Sequence, residues 1–306
     1  MAAVADPEKQ LAWEARQRPR AGVAAILAGV FTLGGFIWSA AAFRDVPRSG
    51  FLTSLGQAFE PGPIGNQPSL RTPEFEFYDA KAFTFVGSSV VRAIAYIALA
   101  YAVTFLIVAT RSRRPELPRF IVYITLVGAV LSAVASVFGG VGTVLAVGHF
   151  LDGPRTVDAA SDVATDSLLY TANLIAVLAP LLVAAGLLLV SLNAMRVGLL
   201  TRFLGILGML SAALAILSQF LFSFVLTFWL ISLGLMLLNR SPGGAPPAWR
   251  TGNAEPWPNR REAIEARGPR KPAPAPAPEP EPEPEAAPTG TRPHPASKKR
   301  KRKRRG

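Results

Sequence analysis

Few side chains could do chemistry inside the apolar stretches of this sequence, and each stands alone. Arg92 is the one charge bordering such a stretch. It is placed either to hold an anionic substrate or lipid headgroup, or to snorkel to an interface. Asn173, Asn193 and Gln219 are the strongest remaining polar groups in or near the apolar runs. Such amides act as helix glue, worth roughly 0.6–2 kcal/mol per interhelical hydrogen bond, or they line a transport path. The two histidines, His149 and His294, lie in different regions, and there is no cysteine. A multi-histidine metal site within one chain, disulfides and thiol catalysis are therefore excluded. His149, close to Asp152, reads as solvated, with pH sensing as the other reading. No phosphate-cradling glycine loop with its lysine, no GxSxG and no HExxH occurs. Every Asp and Glu falls outside the apolar runs, which counts against proton-coupled transport. The expectation is a non-enzymatic protein without cofactor or metal.

The elements that must carry these residues are long and apolar. Ala21 to Phe43 is a charge-free run of 23 residues, about 35 Å as a helix against a hydrocarbon layer of about 30 Å. It far exceeds the usual 7–15-residue core of a secretory signal, so it reads as an anchor, although Ala40 and Ala42 offer a small-x-small site. Further spans fall at 93–110, 120–147 and 168–192. Pro180 lies near the centre of the fourth, where it deletes a backbone hydrogen bond and kinks the helix. From Phe203 to Leu238 the chain runs 36 residues without a charge, about 54 Å as one helix. Two short spans, 203–218 and 221–238, fit better, turning near Gln219. In the third span Gly128, Ser132, Ser136 and Gly140 recur every four residues. Small residues so spaced predict a close helix contact, within the bundle or between subunits.

The polar segments sort by charge. Residues 44–87 hold Pro47, Pro61, Pro63, Pro68 and Pro73, which leave no room for a long helix. Phe51, Leu55 and Phe59 predict one short interfacial helix, with Ser49 as its cap. Phe75, Phe77, Tyr78, Phe83 and Phe85, interleaved with Glu74, Glu76, Asp79 and Lys81, read as an aromatic belt, or else as a cap over a binding site. Segments 44–92 and 148–167 carry five basic against five acidic and one basic against four acidic residues. The N-terminus, the 111–119 and 193–202 loops and the C-terminal tail are basic. The positive-inside rule then places both termini of a six-span chain in the cytoplasm.

Residues 241–306 carry 15 Lys/Arg against seven Asp/Glu and are rich in Pro, Ala and Gly. They read as a disordered tail, with Trp249 and Trp257 able to touch the interface, a helical turn at 260–267, and a polyproline II rod at 272–284. The tail ends in Lys298, Lys299, Arg300, Lys301, Arg302, Lys303, Arg304 and Arg305. At about 1 kcal/mol per basic residue near an anionic surface, this run suits lipid headgroups or a topology anchor. Nucleic acid ranks lower, because no aromatic residue interleaves the run.

The stretch Asn193 to Ala212, NAMRVGLLTRFLGILGMLSA, resembles a segment of uncharacterised multi-pass integral membrane proteins of actinobacteria. There a "GLL-x-R-x-LG" turn joins two spans. The arginine bias and the basic-ended Pro/Ala/Glu tail are similar too. The resemblance implies the six-span arrangement and no reaction.

The expected architecture is an all-α, polytopic membrane helical bundle. It comprises an N-terminal segment 1–20, a six-helix transmembrane domain 21–240 and the tail 241–306, in the plasma membrane. The leading functional reading is an envelope scaffold or accessory subunit meeting a protein partner through residues 44–87 or the tail. The second is a small transporter or permease-like subunit for an uncharged or lipid-like substrate, with Pro180 and the third span as mobile parts. A membrane enzyme ranks third. A cavity at membrane depth lined by Asn173 or Gln219 favours transport, whereas a solid leucine-filled bundle favours the scaffold.

Overall fold

The computed structural model describes residues 7–256 other than 60, 218, 242 and 243, with backbone alone for 7, 219 and 220. The helices are α1 (Pro7–Ala42), α2 (Phe51–Ala58), α3 (Thr72–Ala80), α4 (Ala82–Arg113), α5 (Phe120–Asp152), α6 (Val157–Thr165), α7 (Ser167–Arg196), α8 (Arg202–Leu217), α9 (Gln219–Leu237) and α10 (Ala248–Thr251). Among the described residues no strand forms, and the one β-type pairing is an isolated bridge between Pro68 and Thr156. Four helices, α1, α4, α5 and α7, are long and apolar enough to cross a membrane. The described residues thus form an all-helical structure with four candidate membrane-spanning helices. α8 and α9 are apolar but shorter.

These six helices close a ring in which α4 and α9 flank α1, α4 and α7 flank α5, and α8 joins α7 to α9. Neighbours run antiparallel. Gly22 faces Leu238 of the α9 end and, two turns on, Gly29 faces Ile231. Along α5 and α7, Gly128 meets Leu182 while Gly139 meets Ala172. α8 and α9 fold back on each other, with the Trp229 indole N–H donating to the Leu204 carbonyl at 2.9 Å. Phe203 and Phe228 meet edge to face at 6.3 Å. The 36-residue charge-free run therefore forms two antiparallel helices, Arg202–Leu217 and Gln219–Leu237.

The two ends of the ring differ in charge. α1 begins, and α4, α7 and α9 finish, at one end, beside Arg18, Arg113, Arg114, Arg196 and Arg240. We call this the basic end. The other, the loop end, carries α2, α3 and α6. Towards the basic end the ring interior is solid: Leu106, Leu187, Trp229 and Leu230 are wholly buried.

Several expectations are corrected. α1 begins at Pro7 instead of after a polar segment 1–20, because Trp13 stacks on Phe105 at 5.5 Å and Glu14 is paired inside the bundle. A proline suits the first helical position. Segment 44–87 holds two short helices and the start of α4. Its last proline is Pro73, which leaves nothing to stop helix afterwards. α2 forms on the expected stripe, with Phe51 and Phe59 about four-fifths exposed, but Gly50 is its N-cap and no side chain caps it. The aromatic segment is no uniform belt. Phe75 is buried against Phe150, and Phe43, Tyr78 and Phe85 cluster between the end of α1 and the start of α4. Residues 244–256, expected in the disordered tail, pack on the basic end, where Trp249 is buried and does not reach an interface. Trp257, 260–267, 272–284, His294 and Lys298 to Arg305 lie outside the described residues.

Candidate functional site

Arg92 and Tyr96 stand four apart on α4 and so share one face of that helix. Both residues border two voids, Arg92 exposed and Tyr96 half-buried. The smaller, about 130 Å³, lies between α1, α4 and α9 and is walled by Thr32, Ser39, Phe222 and Ser223. Leu99 and Leu226 floor it, where the solid half begins. The larger, about 710 Å³, lies between α4, α5, α7 and α8. Its polar wall is Ser132, Ser136 and Asn173; Pro180, Leu181 and Ala215 make the apolar wall. A volume of that size falls within the roughly 300–1,000 Å³ of small-ligand sites.

Three polar groups here are unengaged. Among the described residues Arg92 makes no hydrogen bond and no ion pair. The Asn173 carboxamide is exposed to the void, likewise without a partner there. Ser39 Oγ is shut off from solvent yet has no hydrogen-bond partner. The other hydroxyls are occupied. Thr32 donates to Ala28 O at 2.7 Å and Ser136 to Ser132 O at 2.8 Å, both within their own helices. Tyr96 lies within hydrogen-bonding reach of Ser132. Among the described residues the lining holds one cation, one amide and hydroxyls, and no carboxylate or imidazole. Such a set binds through a positive charge and hydrogen bonds, and offers no base for proton abstraction.

The four small residues of α5 are split between partners. Gly128 lies against Ala179, Leu182 and Val183 of α7, whereas Gly140 lies against Ser89 and Phe85 of α4. At 100° per residue, each four-residue step drifts by about 40°, so three steps turn the row by about 120°. Ser132 and Ser136, midway, are left bordering the void. Gln219 opens α9. Asn193 is taken up structurally, donating to Leu189 O at 2.7 Å and accepting from Arg114 at 2.8 Å. His149 faces a separate hollow at the loop end with Asp162 and Asp166. Also at the loop end, Arg71 and Glu74 form an exposed pair at 2.9 Å, and the hydrogen bond from Arg71 holds the Glu74 carboxyl below its ordinary range.

The sequence reading missed the closure of the basic end. The Arg113 side chain is fully buried and grips both carboxylate oxygens of Glu14, one at 2.9 Å. It also donates to Ala248 O at 2.8 Å and lies 5.5 Å from the Trp249 ring. Arg18 covers the same ring at 4.9 Å, and the Trp249 indole N–H donates to Leu199 O at 2.8 Å. The available signal was a lone acid, Glu14, at helical spacing from Arg18 and next to Trp13, ahead of an apolar run.

No family model, no curated protein and no solved structure matches this chain. The resemblance of residues 193–212 rests on those residues alone.

Proposed function

We propose that this chain crosses the plasma membrane six times with both termini in the cytoplasm, and acts as a small permease-like subunit for a lipid-like ligand. The void at Arg92, Asn173 and Pro180 carries the reading. A scaffold needs no void, whereas this one sets the exposed Arg92 guanidinium, without a counter-charge among the described residues, beside hydroxyls and the Asn173 amide, a set that suits an anionic head. The segregation of charge between the two ends supports the orientation, with the basic end inside. The antiparallel α8–α9 hairpin supports six spans over four. α9, at 19 residues, is about 28 Å long, and α8 is shorter still. Helices of that length need slight local thinning of the bilayer. The solid inner half is the closed gate of this reading, and Pro180 is the hinge. The basic run Lys298 to Arg305 would then rest on anionic headgroups of the inner leaflet.

Because the chain contains no cysteine, single cysteines report without background. In intact cells a membrane-impermeant maleimide is expected to label Asp162→Cys at the loop end and Asn173→Cys in the void. Glu116→Cys, 85% exposed at the basic end, is expected to react only after permeabilisation. Labelling of Asp162→Cys with a silent Asn173→Cys means a void closed to the outside and returns the protein to the scaffold reading. Labelling of Glu116→Cys in intact cells reverses the orientation.

A further inference from the structure

The ligand's chemistry can be taken further, on the reading that the void receives one. We propose that Arg92 binds the anionic head, a phosphate or carboxylate, of a single-chain amphiphile. Its tail runs down past Pro180 and meets the bilayer between α7 and α8.

The head position follows from Arg92 and its surroundings. A guanidinium offers five donors in a planar fork that matches two oxygens of a carboxylate or phosphate. Among the described residues none of those donors is used within the protein. Among the described residues Arg92 is also the only ionisable group besides the Tyr96 phenol in either void, so none of them competes for an anion. At about 130 Å³ the smaller void has room for a compact head and no chain. An uncharged substrate would leave the guanidinium unneutralised.

The tail position follows from the shape of the larger void. Its walls change from polar beside Arg92 to Pro180, Leu181 and Ala215 below. Val177 on α7 and Ile216 on α8 stand at its mouth, 67% and 74% exposed, where the surroundings are lipid. Depth agrees. Arg92 lies 21 residues from Arg113 on α4, about 31 Å along the helix, close to one hydrocarbon thickness of about 30 Å. Pro180 lies 16 residues from Arg196 on α7, about 24 Å. With the basic end inside, the head sits at the outer headgroup level and the tail descends, as in an outer-leaflet lipid. The smaller void has no room for a chain, so the tail lies in the larger one.

Calorimetric titration of the full chain in maltoside micelles tests this, with four probes: inorganic phosphate, dodecyl phosphate, laurate and zwitterionic lysophosphatidylcholine. Dodecyl phosphate and laurate should bind one per chain, and inorganic phosphate should give no saturable heat at millimolar concentration. Arg92→Gln should weaken both anionic amphiphiles at least tenfold, and Arg92→Lys by less. Val177→Trp, at an exposed position, should narrow the mouth and weaken the amphiphiles severalfold. Unchanged binding to Arg92→Gln overturns the site. So does phosphate binding as tightly as dodecyl phosphate, which would mean a soluble anion, or lysophosphatidylcholine binding as tightly as laurate. Should Arg92→Gln aggregate, Val177→Trp carries the test, and unchanged affinity there overturns the proposal. Failure of this titration leaves the labelling of Asn173→Cys untouched, so an open void that ignores head charge is told apart from a closed one.

Discussion

Arg113 has both its edge and its plane occupied, by Glu14 and by Trp249, and every one of these groups is buried. Such an ion pair adds little net stability over a well-packed apolar pair, because both charges give up water. Breaking it from one side is a different matter. Arg113→Met leaves the Glu14 carboxylate buried without a counter-charge, a loss of about 3–5 kcal/mol. The expected outcome is a clearly lower melting temperature in detergent. The double variant Glu14→Gln with Arg113→Met should recover a substantial part of that loss. A double variant as unstable as Arg113→Met alone would show that the pair does not carry the effect. Arg92 is the contrasting residue. It has the same chemistry and the same helix, with no partner, and its substitution should spare folding while altering binding.

Close approach of helices depends on where glycine falls along an element. A Cβ on Gly128 would lie 2.7 Å from the Leu182 Cβ and 2.9 Å from the Ala179 carbonyl oxygen. Backbone cannot yield as a side-chain tip can, so α5 and α7 would have to separate. Overpacking of this kind costs typically about 1–3 kcal/mol. Gly148, on the same helix, has nothing within 4 Å of the point where a Cβ would stand. Gly148→Ala should therefore keep or slightly raise the melting temperature, since alanine favours helix over glycine by up to about 1 kcal/mol. Gly128→Leu should lower it and broaden the size-exclusion profile. Equal behaviour of the two variants would remove the packing account. The four-residue spacing on α5 was visible in the sequence. That the row twists from α7 to α4, leaving Ser132 and Ser136 at a void, needed the neighbours in place.

At the scale of the whole molecule, the chain seals one end of its ring and leaves room in the other half. The seal uses residues beyond the last apolar helix: Ala248 and Trp249 are buried, and the Glu255 N–H donates to Val197 O at 3.0 Å. Truncation after Pro256 should leave the melting temperature unchanged. Truncation after Arg240 should lower it by several degrees, because Arg113 and Leu199 lose their partners on α10. Equal melting of the two truncations would mean the segment 241–256 contributes nothing to stability.

Much of this protein was determined by the sequence alone. Charge-free runs of 18 or more residues demand helices, since a backbone in hydrocarbon must satisfy its own hydrogen bonds. The distribution of arginine and aspartate between loops is likewise a property of the chain read in one dimension. Other features were decided by tertiary structure alone. Glu14 read as part of a polar segment and Trp249 as a residue able to touch the interface, and both became core because Arg113, 99 residues from Glu14 in sequence, arrives beside them. Arg92 bordered an apolar run as an interfacial residue would, and it stays exposed; the two voids beside it came from the ring closing around α4. Spacing along a helix says which residues share a face. Which way that face looks is set by the partners that remove the other faces from lipid, and those partners are distant in the chain.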